Sequence, residues 1–458
     1  MLKLFNTLTR NKETLQTIKP HKINFYACGV TVYDYCHLGH ARTYTAIDVI
    51  IRYLRSQGFE VNYVRNITDI DDKIIKRAND NKEPYQDVTR RFTEAMHEDF
   101  SALGLLEPNK KPRATEYIVE MIELISGLIA NGHAYVASNG DVYYDVRRFG
   151  EYGCLSHHDI EQLENGARIE VAEVKRDPLD FVLWKLAKAG EPFWDSPWGA
   201  GRPGWHTECS AMSMKLLGVP FDIHAGGRDL IFPHHENEIA QSEAITGKKF
   251  VNTWLHTGFL EIGKEKMSKS LGNFVTIRDV LKHHSPEILR YFLIANHYRS
   301  PLVFTEDTLL QAKQALLRLY TALRFLPEAE RAKNTVFEHG FIEAMNDDIN
   351  TPIALSVLFE LAHDIQRLRE RDLQQAAAHG ALLKYLGSIL GILQTDVEAF
   401  FQAGSDVDVA QIETLIAARQ KARQEKNWQE ADRIRDKLAS LSIIIEDSSN
   451  GTTWKKQI

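Results

Sequence analysis

Cysteine is scarce in this chain, with only Cys28, Cys36, Cys154 and Cys209 among 458 residues. Four thiols so far apart exclude a disulfide framework and point to free thiols or metal ligands in a reducing compartment. Long apolar runs are missing. No window approaches the about 18 residues of a membrane span, and the opening MLKLFNTLTRNKETLQ lacks an apolar stretch of signal-peptide length. The expectation is a cytoplasmic protein with no membrane partner. An excess of positive charge is also missing: 55 Lys and Arg face 62 Asp and Glu, a net charge of −7. That excludes nucleic-acid binding over the whole surface, so any such partner must meet a local basic face. There is no GxxxxGK[ST] loop, internal repeat or low-complexity tract. The string from Gly199 to Gly204 fits GxGxxG formally, but it contains Pro203 and follows no predicted strand, which excludes a dinucleotide site. The sequons at Asn66 and Asn450 are chance matches on this reading. The remaining composition, 44% hydrophobic and 26% charged, is that of globular domains, two to four at roughly 100–200 residues each.

The pattern along the chain predicts a strand at 23–30, a helix at 41–56 and a β-branched strand at 61–67. Strand, helix and strand in that order form a βαβ unit, and ligands of such units sit at the carboxyl ends of the strands. Ile118, Met121, Ile122, Ile125, Leu128 and Ile129 mark a helix ended by Asn131 and Gly132. A hairpin follows, with strands at 134–137 and 142–146 around Asn139-Gly140. Residues 113–204 read as an insertion between two halves of one α/β domain. The second half resumes with a helix at 207–217, a strand at 221–224, a helix at 233–245 and a strand at 254–260. Beyond Ser300, two apolar stripes predict a helical bundle: Leu309, Leu310, Leu316, Leu317, Tyr320 and Leu323, then Ile353, Leu355, Leu358, Leu361, Ile365 and Leu368. Residues 402–408 read as a polar linker, and the final fifty residues as a small, basic-tilted unit.

Two strings carry chemistry. His37-Leu38-Gly39-His40 opens the first helix, where backbone N–H groups favour anions and imidazoles can donate to phosphate oxygens. Lys266-Met267-Ser268-Lys269-Ser270 lies between Gly263 and Gly272, and two lysines on such a loop can swing onto a triphosphate. Taken alone, the first could be structural histidines and the second a solvated basic loop. Cys28 ends the first strand, Cys209 lies in the second half, and His234 and Glu238 are four apart on one helix face. Such N, S and O donors suit zinc. Buried free thiols with a helix-surface His and Glu remain the alternative. His157, His158, His283 and His284 read as solvent-facing.

The two strings, about 230 residues apart across a split α/β domain, resemble the H-I-G-H and K-M-S-K-S signatures of class I aminoacyl-tRNA synthetases, with Leu38 replacing isoleucine. Residues 201–212, 229–244 and 345–352 and the ending 450–454 are similar to the cysteinyl-tRNA synthetase family, in order and along essentially the whole chain. One departure is Ala225, where the family usually has a third glycine. The resemblance implies a split Rossmann-like parallel-sheet catalytic domain (1–112 and 205–262) with an insertion (113–204). A KMSKS loop and stem-contact region (263–300), an α-helical bundle (301–401) and a small C-terminal anticodon-recognition domain (408–458) would follow. It implies one zinc ion per chain on Cys28, Cys209, His234 and Glu238, completed by the substrate's sulfur. Catalysis would rest on His37, His40, Lys266 and Lys269, with Gly39 and Asp229 joining them at ATP. Thr68, Trp205 and His224 would line the amino-acid pocket.

The implied reaction activates L-cysteine with ATP, accompanied by Mg2+, and passes it to the 3′-terminal ribose of tRNA(Cys), in a monomer. Zinc would act as the selector, because an apolar pocket separates serine from cysteine poorly whereas zinc prefers thiolate. No editing domain is then needed. Trp428 and Trp454 read as core residues of the small C-terminal unit, with stacking on tRNA bases as the alternative. Two rival functions remain. A cysteine ligase acting on an amino sugar would lack residues 408–458, and a decayed non-catalytic copy should have lost the signature residues that persist here.

Overall fold

A computed structural model describes residues 1–158, 174–263, 265–266, 274–402, 409–441, 443–448 and 451–456. Two compact units emerge: Met1–Ile277 with Asn296–Phe304 and Ile342–Pro352, and Arg278–Ala295 with Thr305–Phe341 and Ile353–Ile458.

The first unit begins with a hairpin, β1 (Lys3–Asn6) and β2 (Asn11–Thr14), then enters β3 (Lys22–Thr31), α1 (Leu38–Ser56) and β4 (Glu60–Thr68). β3 is buried almost throughout, as a central strand of a parallel sheet must be when both its faces are covered. Helices α2 (Asp72–Asn81), α3 (Tyr85–Ala102) and α4 (Ile118–Ala130) follow. The insertion contributes β5 (Ala134–Val136), β6 (Val142–Tyr144), β7 (Phe181–Leu186) and β8 (Gly201–Pro203), an antiparallel sheet in that order. Next come α5 (Trp205–Leu217), β9 (Phe221–Gly227), α6 (Glu236–Thr246) and β10 (Val251–Thr257). The central sheet runs β10-β9-β3-β4, all parallel, so its two halves lie side by side and join where β3 pairs with β9. β11 (Leu260–Ile262), β12 (Glu265–Lys266) and β13 (Leu302–Phe304) form a small sheet in the order β12-β11-β13.

Three local expectations need correction. The strand expected at 254–260 ends at Thr257, because Gly258 brings the backbone against residues 299 and 300, and Leu260 starts a different sheet. The helix expected from Pro233 starts at Glu236, preceded by a wide turn at Ile231–His235 in which Phe232 is extended. The hairpin around Asn139-Gly140 is real, but its loop is longer than a two-residue turn: Ala137 N–H bonds Asp141 O, Gly140 N–H bonds Ala137 O, and Gly140 has φ +89°.

The second unit is helical. α7 (Ile277–Leu281) leads into it, and α8 (Pro286–Ile294) carries a Ser285 cap. α9 (Glu306–Leu323), α10 (Val336–Asn346), α11 (Thr351–Leu368), α12 (Leu373–Leu390) and α13 (Val397–Gln402) follow. The buried row of α9 is Leu309, Ala312, Leu316, Leu319, Tyr320 and Leu323. Leu310 is exposed and Leu317 half-buried, since a 3.6-residue period turns them off that row. Ile353 is likewise exposed. The expected linker falls largely on residues 403–408, outside the described residues. The end of the chain packs α14 (Val409–Gln424) and α15 (Trp428–Ser440) with the hairpin β14 (Ile443–Ser448) and β15 (Gly451–Lys456). Its core is Ile412, Ile416, Ile434, Leu438, Ile443 and Trp454. Trp454 is the core aromatic expected, and its indole N–H donates to Glu413 at 2.7 Å. Trp428 is not: it is 60% exposed, because one aromatic fills so small a core and Trp428 sits on the first residue of α15.

Candidate active site and metal centre

A cleft of about 320 Å³ opens at the carboxyl ends of the parallel strands, lined by Cys28–Thr31, Tyr33–Tyr35, the His37–His40 turn, Lys73, Trp205, Asp229 and Gly258, among others. The histidine turn explains its own geometry. His37 caps α1, its Nδ1 accepting the His40 N–H at 3.3 Å, and the Nδ1 of His40 accepts the His37 N–H at 3.2 Å. The rings stack at 3.7 Å. With both Nδ1 atoms accepting, each neutral ring carries its proton on Nε2, the atom needed to donate to phosphate. Leu38 N–H bonds Val275 O, and Ile277 N–H bonds Cys36 O, so the backbone beyond the lysine loop is laced to this turn. Lys266, in β12, pairs through its backbone with Glu261 of β11, whereas Lys269 lies outside the described residues. Asp229 sits in the turn after β9 and lines the cleft.

Behind the cleft wall, at Cys28, the side chains of Cys28, Cys209, His234 and Glu238 converge. Their ligand atoms all lie within 4.8 Å of one another, and all four residues are buried. Ligands about 2.0–2.3 Å from a tetrahedral ion stand about 3.3–3.8 Å apart. The two sulfurs are 3.6 Å apart, Cys28 Sγ is 3.4 Å from Glu238 Oε1, and His234 Nε2 is 3.1 Å from Glu238 Oε1. The donor set therefore fits a metal ion. A second grouping, Cys28, His224, His235 and Glu238, is equally tight. In it, however, His224 Nε2 already meets Glu238 Oε2 at 2.9 Å, whereas His235 turns Nε2 to Cys28 Sγ at 3.2 Å with its Nδ1 held by His256 Nε2 at 2.8 Å.

Burial and mutual charge set the protonation of this cluster. Burial, then the neighbouring Cys209, pushes the Cys28 thiol well up. Cys209 is drawn down to about 6, first by the hydrogen bond from Cys28 and against its own burial. Burial would lower His234, but Cys209 and Glu238 raise it to about 10. Burial would raise Glu238, but His224 and His234 hold it at about 2. Behind His234, His206 offers Nδ1 at 3.0 Å from His234 Nδ1, and burial keeps His206 well below the usual imidazole range. Such a partner orients a metal-binding ring.

Trp205 stacks on His234 at 4.1 Å and is 37% exposed, at the cleft wall. His224 is fully buried behind Glu238 and stacks on Trp254 at 4.4 Å. Thr68 is buried too, donating to Glu208 at 3.0 Å and accepting from Asn66. Ala225 sits mid-sheet in register with Ala27 and Leu255. Sequence reasoning passed over Lys73, which reaches the cleft, His206, His235 and His256, which pack around the ligands, and Glu236, which is buried on the other side of the same turn. The unbroken polar run His234-His235-Glu236-Asn237-Glu238 inside a buried helix was the available signal, since buried polar side chains need partners.

Three family models match: tRNA synthetases class I (C) catalytic domain over residues 14–314, DALR domain over 340–394, and cysteinyl-tRNA ligase anticodon binding domain over 409–454. The chain is 57% identical to a cysteine–tRNA ligase of Haemophilus influenzae (strain PittGG), with all of both chains covered. It is 56% identical to one of Ectopseudomonas mendocina (strain ymp), with 99% of each covered. Among solved structures it resembles a Mycobacterium tuberculosis methionyl-tRNA synthetase in complex with methionyl-adenylate, with TM-score 0.58 and 15% identity over 83% of this chain and 91% of that one, a likeness of fold.

Proposed function

The chain belongs to the cysteine–tRNA ligase family of class I aminoacyl-tRNA synthetases, and from that premise we propose how its residues divide the work. Cys28, Cys209, His234 and Glu238 hold one zinc ion, whose chemistry is to bind the substrate's sulfur as thiolate and reject serine's weakly ligating hydroxyl. The observation carrying this is the convergence of those four donors, of which Cys28 lines the same cleft as His37 and His40. Trp205 closes the wall of the amino-acid pocket, while Thr68 and His224 support it from behind.

Bound there, the cysteine carboxylate meets the α-phosphate of ATP near the start of α1. The Nε2–H groups of His37 and His40 donate to phosphate oxygens as charge builds, and Gly39 lets backbone approach. Lys266 and Lys269 neutralise the departing pyrophosphate, with Mg2+ on the nucleotide, and Asp229 holds the ribose hydroxyls. The cysteinyl group then passes from the adenylate to the 2′-hydroxyl of the terminal ribose of tRNA(Cys). In this reading a cytoplasmic monomer does the work, the helical bundle reaches along the tRNA stem, and residues 408–458 meet the anticodon.

The decisive test measures zinc content together with cysteine- and serine-dependent ATP–pyrophosphate exchange on one preparation. Cys209→Ser should lose zinc and exchange together. Full activity without metal would overturn the assignment. Charging of an amino sugar in preference to tRNA would overturn the acceptor.

A further inference from the structure

Every side chain from His234 to Glu238 is buried and engaged, but His234, His235 and Glu238 face the ligand cluster while Glu236 and Asn237 turn away from it. Glu236, two residues from both His234 and Glu238, is on the far side of the helical turn. Its carboxylate accepts the N–H groups of Gly153 (3.0 Å), Leu155 (3.2 and 3.3 Å) and Ser156 (2.8 Å), and the Cys154 thiol at 3.5 Å. Beside it, Asn237 accepts the Tyr152 hydroxyl at 2.5 Å. One turn of the insertion, residues 152–156, thus grips the back of the helix whose front carries two ligands.

The helix needs such a grip. It enters through the wide turn Ile231–His235 with an extended Phe232, and α6 has no side-chain cap of its own. Its chain therefore does not dictate the phase of its first residues. A ligand atom, however, must be held within about 0.5 Å and 10–20°. A buried carboxylate with three backbone donors is also a costly way merely to fill space. We propose that Glu236 is a positioning residue for the metal centre. Anchored to Gly153–Ser156, it sets the pitch at which His234 and Glu238 present their ligand atoms, and so the preference for cysteine over serine. This rests on the zinc reading above.

The test uses the full-length protein, loaded with zinc and then with Co(II). Glu236→Gln keeps the volume but turns an NH2 group towards backbone N–H donors. Zinc affinity measured by chelator competition should weaken about 10–100-fold. The Co(II) d–d bands should lose tetrahedral intensity, and KM for cysteine should rise more than kcat falls. The control is Glu243→Gln, at the other end of the same helix, which loses a bond from Phe250 N–H (2.8 Å). It should lower thermal stability while leaving zinc affinity intact. An E236Q protein with wild-type zinc affinity and an unchanged Co(II) spectrum overturns the proposal, as does equal zinc loss in E243Q. Should E236Q fail to fold, Tyr152→Phe decides: zinc binding weakened about 10-fold, the lower end for an outer partner, supports it, and no change refutes it. A wild-type protein that takes up no zinc would defeat the underlying reading instead.

Discussion

Two thiols, an imidazole and a carboxylate buried within hydrogen-bond reach share protons rather than keep their own. Without metal, and between about pH 6 and pH 10, the cluster holds a proton on Cys28 and one on His234, while Cys209 and Glu238 are anionic. Ligation needs thiolates and a neutral imidazole, so both protons must leave as the metal enters. The sign follows: affinity rises with pH by about two log units per unit in this window, and more steeply below about 6, where Cys209 also gains a proton. Calorimetric titration in buffers of different ionisation enthalpy should count two protons released near pH 8. His37 makes a separate case, because its ring both caps α1 and faces the cleft. His37→Ala should cost about 1 kcal/mol in denaturant unfolding as a lost cap, yet slow adenylate formation about 10²–10³-fold. Comparable losses in the two measurements would assign it to structure alone.

At the level of elements, Gly29 leaves no room for a side chain in the central sheet. A Cβ there would stand 1.6 Å from the carbonyl oxygen of Asn66, where the β3–β4 register slips between Ala27 and Val30. Gly29→Ala should therefore destabilise by about 3 kcal/mol or more, since neither backbone can yield freely, as read from the denaturant midpoint. What the sequence displayed of these elements was whatever local periodicity controls. α1, β4, α4 and the β5–β6 hairpin stand within a few residues of their expected places, because apolar spacing and breakers act locally. The helices at 72–102, the β1–β2 hairpin, and β7 and β8 went unread; β2 is Asn-Lys-Glu-Thr and β8 Gly-Arg-Pro, which carry no alternating apolar pattern. The site followed the same division. Motif residues were legible one by one, but the ring of His206, His235 and His256 could be seen only once strands distant in sequence lay side by side.

For the whole molecule, the central prediction concerns division of labour. A chain ending after Asp408 keeps the cleft and all four ligands, but loses the packed unit around Trp454. Cysteine-dependent ATP–pyrophosphate exchange should stay within roughly threefold, while tRNA charging falls roughly 10–100-fold, the weight of one or two base contacts. Equal losses in both assays would refute the division. Trp428→Ala, on the exposed face of that unit, should leave its unfolding unchanged, whereas Trp454→Ala should cost about 3–5 kcal/mol. Finally, β3 lies between β4 and β9 in the sheet, and the partner sulfurs of Cys28 and Cys209 are 181 residues apart. On the ribosome, at about 5–20 residues per second, the earlier sulfur waits roughly 10–40 s for its companion. During that interval it is open to oxidants and stray metals, so a cell under oxidative stress would damage newborn copies of this protein before finished ones.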